Sequence, residues 1–124
     1  MNKQRPVNLD LGTLAFPPMA IASILHRISG IILFVMMPFI FYLLELSLRS
    51  AESYAQCQRL LANPLVTVLL WGFMSALIYH VLAGLRHILM DFGFGETVEK
   101  SRASALSVMA LAVILILLTG IWLW

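Results

Sequence analysis

The stretch "ISGIILFVMMPFIFYLL", residues 28–44, decides the fold class. It contains no Asp, Glu, Lys or Arg, and two further runs of the same kind occupy residues 65–85 and 103–124. A helix needs about 20 residues to cross the hydrocarbon core of a bilayer. Because no water is available there to backbone groups, helices are the expected form of such runs. The sequence therefore predicts an all-α integral membrane protein with three transmembrane helices, part of a helical bundle.

The composition of the whole chain agrees with this prediction. Of the 124 residues, 61% are hydrophobic and 11% are charged, and a soluble domain of this length could not hide so much apolar surface. The net charge of +2 is too small to indicate a nucleic-acid partner, and the single cysteine, Cys57, excludes an internal disulfide. We expect one transmembrane domain over residues 1–124, with an interfacial N-terminal segment over 1–20. The expected spans are about 21–47, 64–90 and 103–124.

The loops carry an orientation signal. If the N-terminus is cytoplasmic, six basic residues lie on or near the inner face and two lie outside. The inner set is Lys3, Arg5, Arg27, Arg86, Lys100 and Arg102, and the outer set is Arg49 and Arg59. The positive-inside rule then places the N-terminus in the cytoplasm and the C-terminus in the periplasm. Within the first loop, residues 45–64, we expect a short helix on the membrane surface and a new span starting at Pro64.

Polar residues stand at the cytoplasmic edge of the first span, in "SILHRISG", residues 23–30. Ser23, Arg27 and Gly30 follow i, i+4, i+7 and share one helical stripe, with His26 beside it. An arginine at this level is either a snorkelling interfacial anchor or a ligand for an anion. A lone serine near a helix start is more often a cap than a ligand donor.

The second span carries His80, Gly84 and His87 on one face, again at i, i+4, i+7. His80 lies roughly 8 Å inside the end of the apolar run, where a histidine is costly and indicates function. Two interpretations stand beside each other: a packing histidine bonded to a neighbouring backbone, or an axial haem ligand. Gly84 would admit a flat macrocycle or a neighbouring helix.

A second histidine ligand for such an iron could come from His26 or from another subunit. His87 is excluded, because it lies two turns from His80 on the same helix. We expect His26 to lie too near the interface to match the depth of His80, which favours a partner chain. Haem propionates facing the cytoplasmic interface would meet the basic groups at that level, His26, Arg27 and His87.

Three segments carry a family resemblance: "KQRPVNLDL", "SILHRISG" and "YHVLAGLRHILMDFG". They closely resemble the cytochrome b556 membrane-anchor subunits of bacterial succinate dehydrogenase, and the resemblance covers most of the chain. Many of those subunits carry a Ser-Pro-His run after the N-terminal Arg-Pro, where this chain has "VNLDL".

The resemblance implies a role for each matched polar residue. His80 matches the axial ligand of haem b, whose other ligand comes from a second anchor subunit. Ser23 and Arg27 match the ubiquinone-binding residues, and His26, Arg27 and His87 match groups near the haem propionates. Asp91 resembles an acidic residue on a proton path to the quinone, although a simple polar helix end explains it equally well.

The implied activity belongs to a complex in the bacterial inner membrane. It oxidises succinate to fumarate and reduces ubiquinone, which joins the tricarboxylic acid cycle to respiratory electron transport. The chain has no flavin-binding glycine fingerprint and lacks the cysteines for an iron–sulfur cluster, so FAD and the clusters are expected in partner subunits. The expected partners are a second anchor, an iron–sulfur subunit and a flavoprotein, in a heterotetramer or a trimer of it.

Two alternatives remain open from the sequence. The chain could be the anchor of a fumarate reductase, because the direction of turnover depends on partner potentials and quinone type. It could also be a purely structural anchor without haem. A structural anchor would carry polar residues only in its loops and at the ends of its spans. His80 argues against it, because this histidine lies inside the second span. In every case the isolated chain is not expected to be catalytic.

Overall fold

The computed structural model describes residues 9, 10, 12 and 14–124, and the regular structure in this part is entirely helical. It comprises α1 (Pro18–Arg49), α2 (Ala51–Leu61), α3 (Pro64–Asp91) and α4 (Val98–Leu123). Three of these helices, α1, α3 and α4, are long and apolar enough to cross a membrane. The prediction of an all-α chain with three spanning helices is confirmed.

Prolines set the start of two spans. Pro18 and Pro64 stand in the first turns of α1 and α3, where a missing N–H costs no helical hydrogen bond. The predicted restart at Pro64 is confirmed, and Asn63 caps it by accepting from the Leu65 N–H at 2.9 Å. The expected spans lie inside the observed helices, except that Trp124 follows the end of α4. Most of the expected interfacial segment, 1–20, lies outside the described residues.

The loop between the first two spans folds into the expected short helix, α2. A reciprocal capping box starts it: the Ser50 side chain accepts from the Ser53 N–H, and the Ser53 side chain accepts from the Ser50 N–H. The buried Cys57 then packs against Leu43 and Leu46 of α1. These contacts hold α2 against the end of α1 that lies far from the polar residues of interest.

A glycine turn reverses the chain between α3 and α4. Gly93 adopts a φ of +86°, its N–H donates to Met90, and the Phe94 N–H donates to Leu89 at 3.0 Å. This is a Schellman motif, which satisfies carbonyls at the helix end and favours glycine at the left-handed position. Thr97 then caps α4. The two helices run antiparallel, with α3 packed between α1 and α4.

Small residues form most of the interior. Ala22, Ala83, Ala105 and Ala112 are each at most 2% exposed, and such side chains let helices approach closely. The most apolar windows of α1, α3 and α4 are only 11%, 17% and 6% buried. Most of the apolar surface therefore faces outward, as expected for helices that meet lipid or another membrane subunit.

Candidate functional site

Three histidines meet where α1 packs against α3. The rings of His26 and His80 are stacked, with centroids 4.2 Å apart and planes inclined by 17°. The rings of His26 and His87 lie 5.2 Å apart. His26 of α1 thus inserts between two histidines that stand two turns apart on α3. We call these three residues the histidine cluster.

The cluster confirms one sequence prediction and corrects another. His80, Gly84 and His87 share one face of α3 as predicted, because His26 lies against both histidines and beside the glycine. The expectation that His26 lies too near the interface to reach the level of His80 is wrong, because the two rings are in stacking contact. The physical reason is the start of α1 at Pro18, which places His26 about two turns inside the helix instead of at its beginning.

A glycine on each helix makes room for the opposing ring. A Cβ added at Gly30 would lie 3.2 Å from His80 Cε1, and one added at Gly84 would lie 3.5 Å from His26 Nε2. Of the two partners considered for Gly84, a macrocycle or a neighbouring helix, the structure supplies the helix. The close approach of α1 and α3 at this level depends on these two positions.

One side of the His80 ring is fixed by hydrogen bonds. Its Nδ1 lies 3.0 Å from Ser29 Oγ and 3.2 Å from the His26 carbonyl oxygen, to which Ser29 Oγ also donates at 2.7 Å. A carbonyl can only accept, so a proton on Nδ1 satisfies the arrangement. The lone pair then resides on Nε2, which makes no hydrogen bond to the described chain. A backbone partner on one ring nitrogen is how proteins orient a histidine that binds metal through the other.

His26 is placed differently. Its Nε2 is enclosed and lacks a hydrogen bond, and no other buried side-chain nitrogen or oxygen of the described residues shares that state. An imidazole lone pair lies in the ring plane. Because the rings of His26 and His80 are stacked and nearly parallel, their lone pairs cannot converge on one iron between them. In this arrangement the His26–His80 pair could supply one axial ligand at most, and these residues would fit a haem shared with another subunit.

Two residues that sequence reasoning missed also hold the site. Ser29 orients His80, and the buried Tyr79 donates from Oη to the Ala22 carbonyl at 2.8 Å, which ties α3 to α1. Spacing could have indicated Ser29, since it stands three residues after His26 and so shares its face of α1. No comparable signal marked Tyr79, because its partner is a backbone atom 57 residues away.

Ser23 and Arg27 remain available to a ligand. Ser23 lies inside α1, whose cap is Pro17, so the alternative of a capping serine is wrong. Its hydroxyl has no hydrogen-bond partner among the described residues. Other hydroxyls in the spans donate to carbonyls one turn back, as in Ser75, Ser107 and Thr119. Arg27 is exposed and forms no ion pair within the described chain.

Asp91 stands one turn beyond His87, at the last position of α3. It is exposed and makes no ion pair with the described residues. The structure therefore brings His26, His80 and His87 into contact. Ser23, Arg27 and Asp91 stand at the same end of the bundle and form no hydrogen bond to these histidines in the described part of the chain.

Comparison with known proteins identifies the kind of chain that carries this site. Residues 1–119 match the family model described as the succinate dehydrogenase/fumarate reductase transmembrane subunit. The chain belongs to this family. It is 50% identical over 125 aligned residues to a succinate dehydrogenase cytochrome b556 subunit of Coxiella burnetii, and the alignment covers 100% of both chains. A subunit of the same description from Paracoccus denitrificans is 35% identical, over 93% of this chain and 88% of the relative.

Family membership accounts for the architecture. The chain is a multi-pass membrane protein of a family whose members are transmembrane subunits of an oxidoreductase complex, and its three apolar helices provide the spans. Membership also explains why so much apolar surface stays uncovered in the single chain. A subunit of a membrane complex buries part of its surface against other subunits.

Proposed function

We propose that this chain is the cytochrome b556 membrane anchor of a succinate:ubiquinone oxidoreductase. The observation that carries the proposal is His80, inside a spanning helix, with Nδ1 held by Ser29 and a carbonyl and with Nε2 unengaged. The names of the similar proteins supply the complex and the cytochrome type. Together they favour a haem-bearing anchor over a purely structural one.

His80 would hold haem b as one axial ligand, and the second anchor subunit would supply the other. Support for a shared haem comes from the stacking of His26 on His80, which leaves this chain one ligand to offer. Arg27 and His87 would hold propionates by charge-assisted hydrogen bonds. His26 would contribute through Nδ1, because its Nε2 is enclosed. When bound, the haem would supply one-electron redox chemistry at this level of the bundle.

Ser23 and Arg27 would form this chain's half of the ubiquinone site. They stand one turn apart on α1, and neither is engaged by another described residue. The Ser23 hydroxyl would donate to a quinone carbonyl oxygen and position the ring. The Arg27 guanidinium would stabilise negative charge that develops on the quinone oxygens during reduction, an effect that grows when water is excluded. Asp91, one turn beyond His87, would hold and pass protons toward this site.

The remaining parts of the activity would reside in partner subunits. A flavoprotein carrying FAD would oxidise succinate, and an iron–sulfur subunit would pass electrons to the membrane. With the second anchor they form a heterotetramer or a trimer of it, in the inner membrane. The distribution of basic residues supports a cytoplasmic N-terminus and a periplasmic C-terminus. In this arrangement the isolated chain is not catalytic.

A fumarate reductase anchor is the second candidate, since the family description names both enzymes. The similar proteins with which we compared the chain are succinate dehydrogenase subunits, and this favours the succinate-oxidising direction. A haem-free structural anchor is the third candidate, and the experiment described next distinguishes it from the two haem-bearing anchors.

The test is a dithionite-reduced minus oxidised spectrum of the membrane complex, purified after co-expression with its partner subunits. His80→Ala is compared with wild type at equal protein. His87→Ala is the matched comparison, because it removes a ring from the same helix and the same cluster, and with it a proposed propionate contact, but not the proposed axial ligand. We expect a b-type α-band in wild type, its loss in His80→Ala, and its retention in His87→Ala.

Each result distinguishes the candidates. An unchanged band in His80→Ala would exclude that residue as the axial ligand. Loss of the band in both variants, with the complex otherwise intact, would show that the band depends on packing or propionate contacts of the cluster and does not identify His80 as the ligand. Absence of a band in the intact wild-type complex would favour the haem-free anchor. Succinate and fumarate turnover of the same preparations then separates the two enzyme directions.

A further inference from the structure

Arg86 lies on the side of α3 that packs against α4, away from the histidine cluster. It is 7% exposed, which is unusual for an arginine. Its Nε donates to Ser104 Oγ at 2.9 Å, and its Nη2 donates to the carbonyl and hydroxyl oxygens of Ser101 at 3.1 and 2.9 Å. These three hydrogen bonds join α3 to the start of α4. We call them the arginine clamp.

The clamp leaves the charge of Arg86 without a counter-charge. Each acceptor is a neutral oxygen, and the ion pair found in the described chain, Arg49 with Glu45, belongs to the other end of α1. A buried cation without an anion is destabilising. Arg86 Nη1 has no hydrogen bond within the described chain. It is also not fully enclosed, because among the described side chains only His26 Nε2 is both enclosed and without a hydrogen bond. The Nη1 group of this buried guanidinium is therefore not fully enclosed by the described chain and has no acceptor there.

Arg86 also lines a groove of about 500 Å³ between α3 and α4. Arg86 and Lys100 line it as the charged residues, and Leu82, Leu85, Leu89 and Val108 are among its apolar walls. Lys100 makes no ion pair with the described residues, although Glu96 and Glu99 are close in sequence. The groove thus joins two unpaired positive groups to an apolar surface.

The two serines that line the groove, Ser104 and Ser107, add no free hydrogen-bond donor to it. Ser104 donates to the Ser101 carbonyl and accepts from Arg86, and Ser107 donates to the Ala103 carbonyl. Their hydroxyl protons are already engaged within α4. The donors left for a ligand are those of Arg86 Nη1 and the Lys100 ammonium group.

We propose that this groove binds an anionic phospholipid. The phosphate accepts hydrogen bonds from Arg86 Nη1 and Lys100 and supplies the missing counter-charge, while an acyl chain lies along the leucines of α3. Free phosphate would use only the charged end, and an apolar partner helix would cover the walls without neutralising Arg86. With the N-terminus in the cytoplasm, the headgroup belongs to the inner leaflet. The inference does not depend on haem or quinone.

The test measures the melting temperature of the complex, purified with its partner subunits and depleted of lipid in a neutral detergent. Phosphatidylglycerol, phosphatidylcholine with the same acyl chains and inorganic phosphate are added in separate series. A ligand that binds only the folded complex raises its melting temperature. We expect a rise with phosphatidylglycerol that exceeds the rise with phosphatidylcholine, and no rise with phosphate.

Variants assign the effect to the groove. Lys100→Gln removes one positive group and leaves the clamp intact, and Arg86→Gln removes the other. Arg102→Gln is the matched control, because this exposed base lies two residues from Lys100 and does not line the groove. We expect the excess rise with phosphatidylglycerol to fall by at least half in Lys100→Gln, to vanish in Arg86→Gln and to persist in Arg102→Gln. If Arg86→Gln does not assemble, Lys100→Gln decides.

Four results would overturn the proposal. Equal effects of the two lipids would show that the headgroup charge is not recognised. A full effect in Lys100→Gln would place the lipid elsewhere. A rise with phosphate alone would indicate a small-anion site. The absence of any lipid effect in wild type would mean that a partner subunit fills the groove.

Discussion

The two faces of α3 use polar residues in different ways. Toward α1, the histidine cluster leaves His80 Nε2 unengaged. Toward α4, Arg86 Nε and Nη2 form the clamp, and Trp71 Nε1 donates to the Ile116 carbonyl at 3.0 Å, while Arg86 Nη1 makes no hydrogen bond to the described chain. Polar groups inside a membrane are stabilising only when paired. The α4 face therefore fixes the bundle with most of its donors and leaves Arg86 Nη1 for the proposed lipid, whereas the α1 face leaves the His80 nitrogen that we propose as the haem ligand.

Small residues occur on both faces but serve different partners. Gly30 and Gly84 accommodate imidazole rings across the α1–α3 interface, whereas Gly120 of α4 accommodates the Trp71 indole, 3.2 Å from a Cβ built there. Gly30 and Gly84 set the positions of His80 and His26, whose Nε2 atoms have no hydrogen bond in the described chain. Gly120 instead lets Trp71 approach α4, where the indole N–H is already paired with the Ile116 carbonyl. The same packing device thus supports a site on one side and rigidity on the other.

The largest expected effect tests the ligand face. Arg27→Leu removes the proposed stabilisation of charge on the quinone oxygens, and loss of one such group lowers turnover on the order of 10²-fold. Succinate-dependent ubiquinone reduction by the purified complex should fall by that factor, while succinate oxidation by a soluble dye persists. Arg102→Leu, an exposed base on α4, should leave both rates unchanged. Equal losses in both variants would show that general surface charge is responsible.

The next effect tests the face toward α4. Arg86→Leu breaks the arginine clamp, and at about 0.6 kcal/mol for each interhelical hydrogen bond in a membrane the loss is roughly 2 kcal/mol. The free energy of unfolding, measured by denaturation in mixed detergent micelles, should fall by this amount. Arg86→Lys keeps the charge without the planar fork and should recover only part of it. Full recovery in Arg86→Lys would contradict the role of the guanidinium geometry.

A smaller effect is expected from the two glycines that contact the histidine cluster, Gly30 and Gly84. Gly30→Ala places a Cβ 3.2 Å from His80 Cε1, so the ring must shift, and overpacking of this kind costs about 1 kcal/mol or more. Gly84→Ala creates an ordinary contact at 3.5 Å and gains helix propensity. We expect a lower melting temperature and an altered haem band in Gly30→Ala alone. Identical behaviour of the two variants would indicate that His80 is free to move.

The smallest effect concerns the orientation of His80. Ser29→Ala removes one partner of Nδ1 but leaves the His26 carbonyl, so we expect a loss of about 0.6 kcal/mol in stability. The haem midpoint potential should shift as well, because the ring gains freedom. Ser75→Ala is the control, since its hydroxyl bonds only to the Trp71 carbonyl of its own helix. A shift of the potential in both variants would remove Ser29 from the site.

The sequence was most informative where periodicity and composition act alone. The three apolar runs predicted three helices, and the i, i+4, i+7 spacing predicted the α3 face of His80, Gly84 and His87. The prediction that His26 could not reach the level of His80 was wrong because the start of α1 depends on Pro18, which lies outside the apolar run. Arg86 was counted as an inner-face charge, while its clamp to Ser101 and Ser104 depends on how α4 packs.

By itself the sequence determined the number of spans, their helical form and the polar residues of each, because hydrophobic length and helical period are local properties. Only the tertiary structure decided that His26 stacks on His80, that Ser29 and Tyr79 support the site, and that Arg86 is buried. Those outcomes depend on the rotation and offset of one helix against another. Close contacts at Gly30, Gly84 and the small residues set these quantities, and they join positions far apart in the chain.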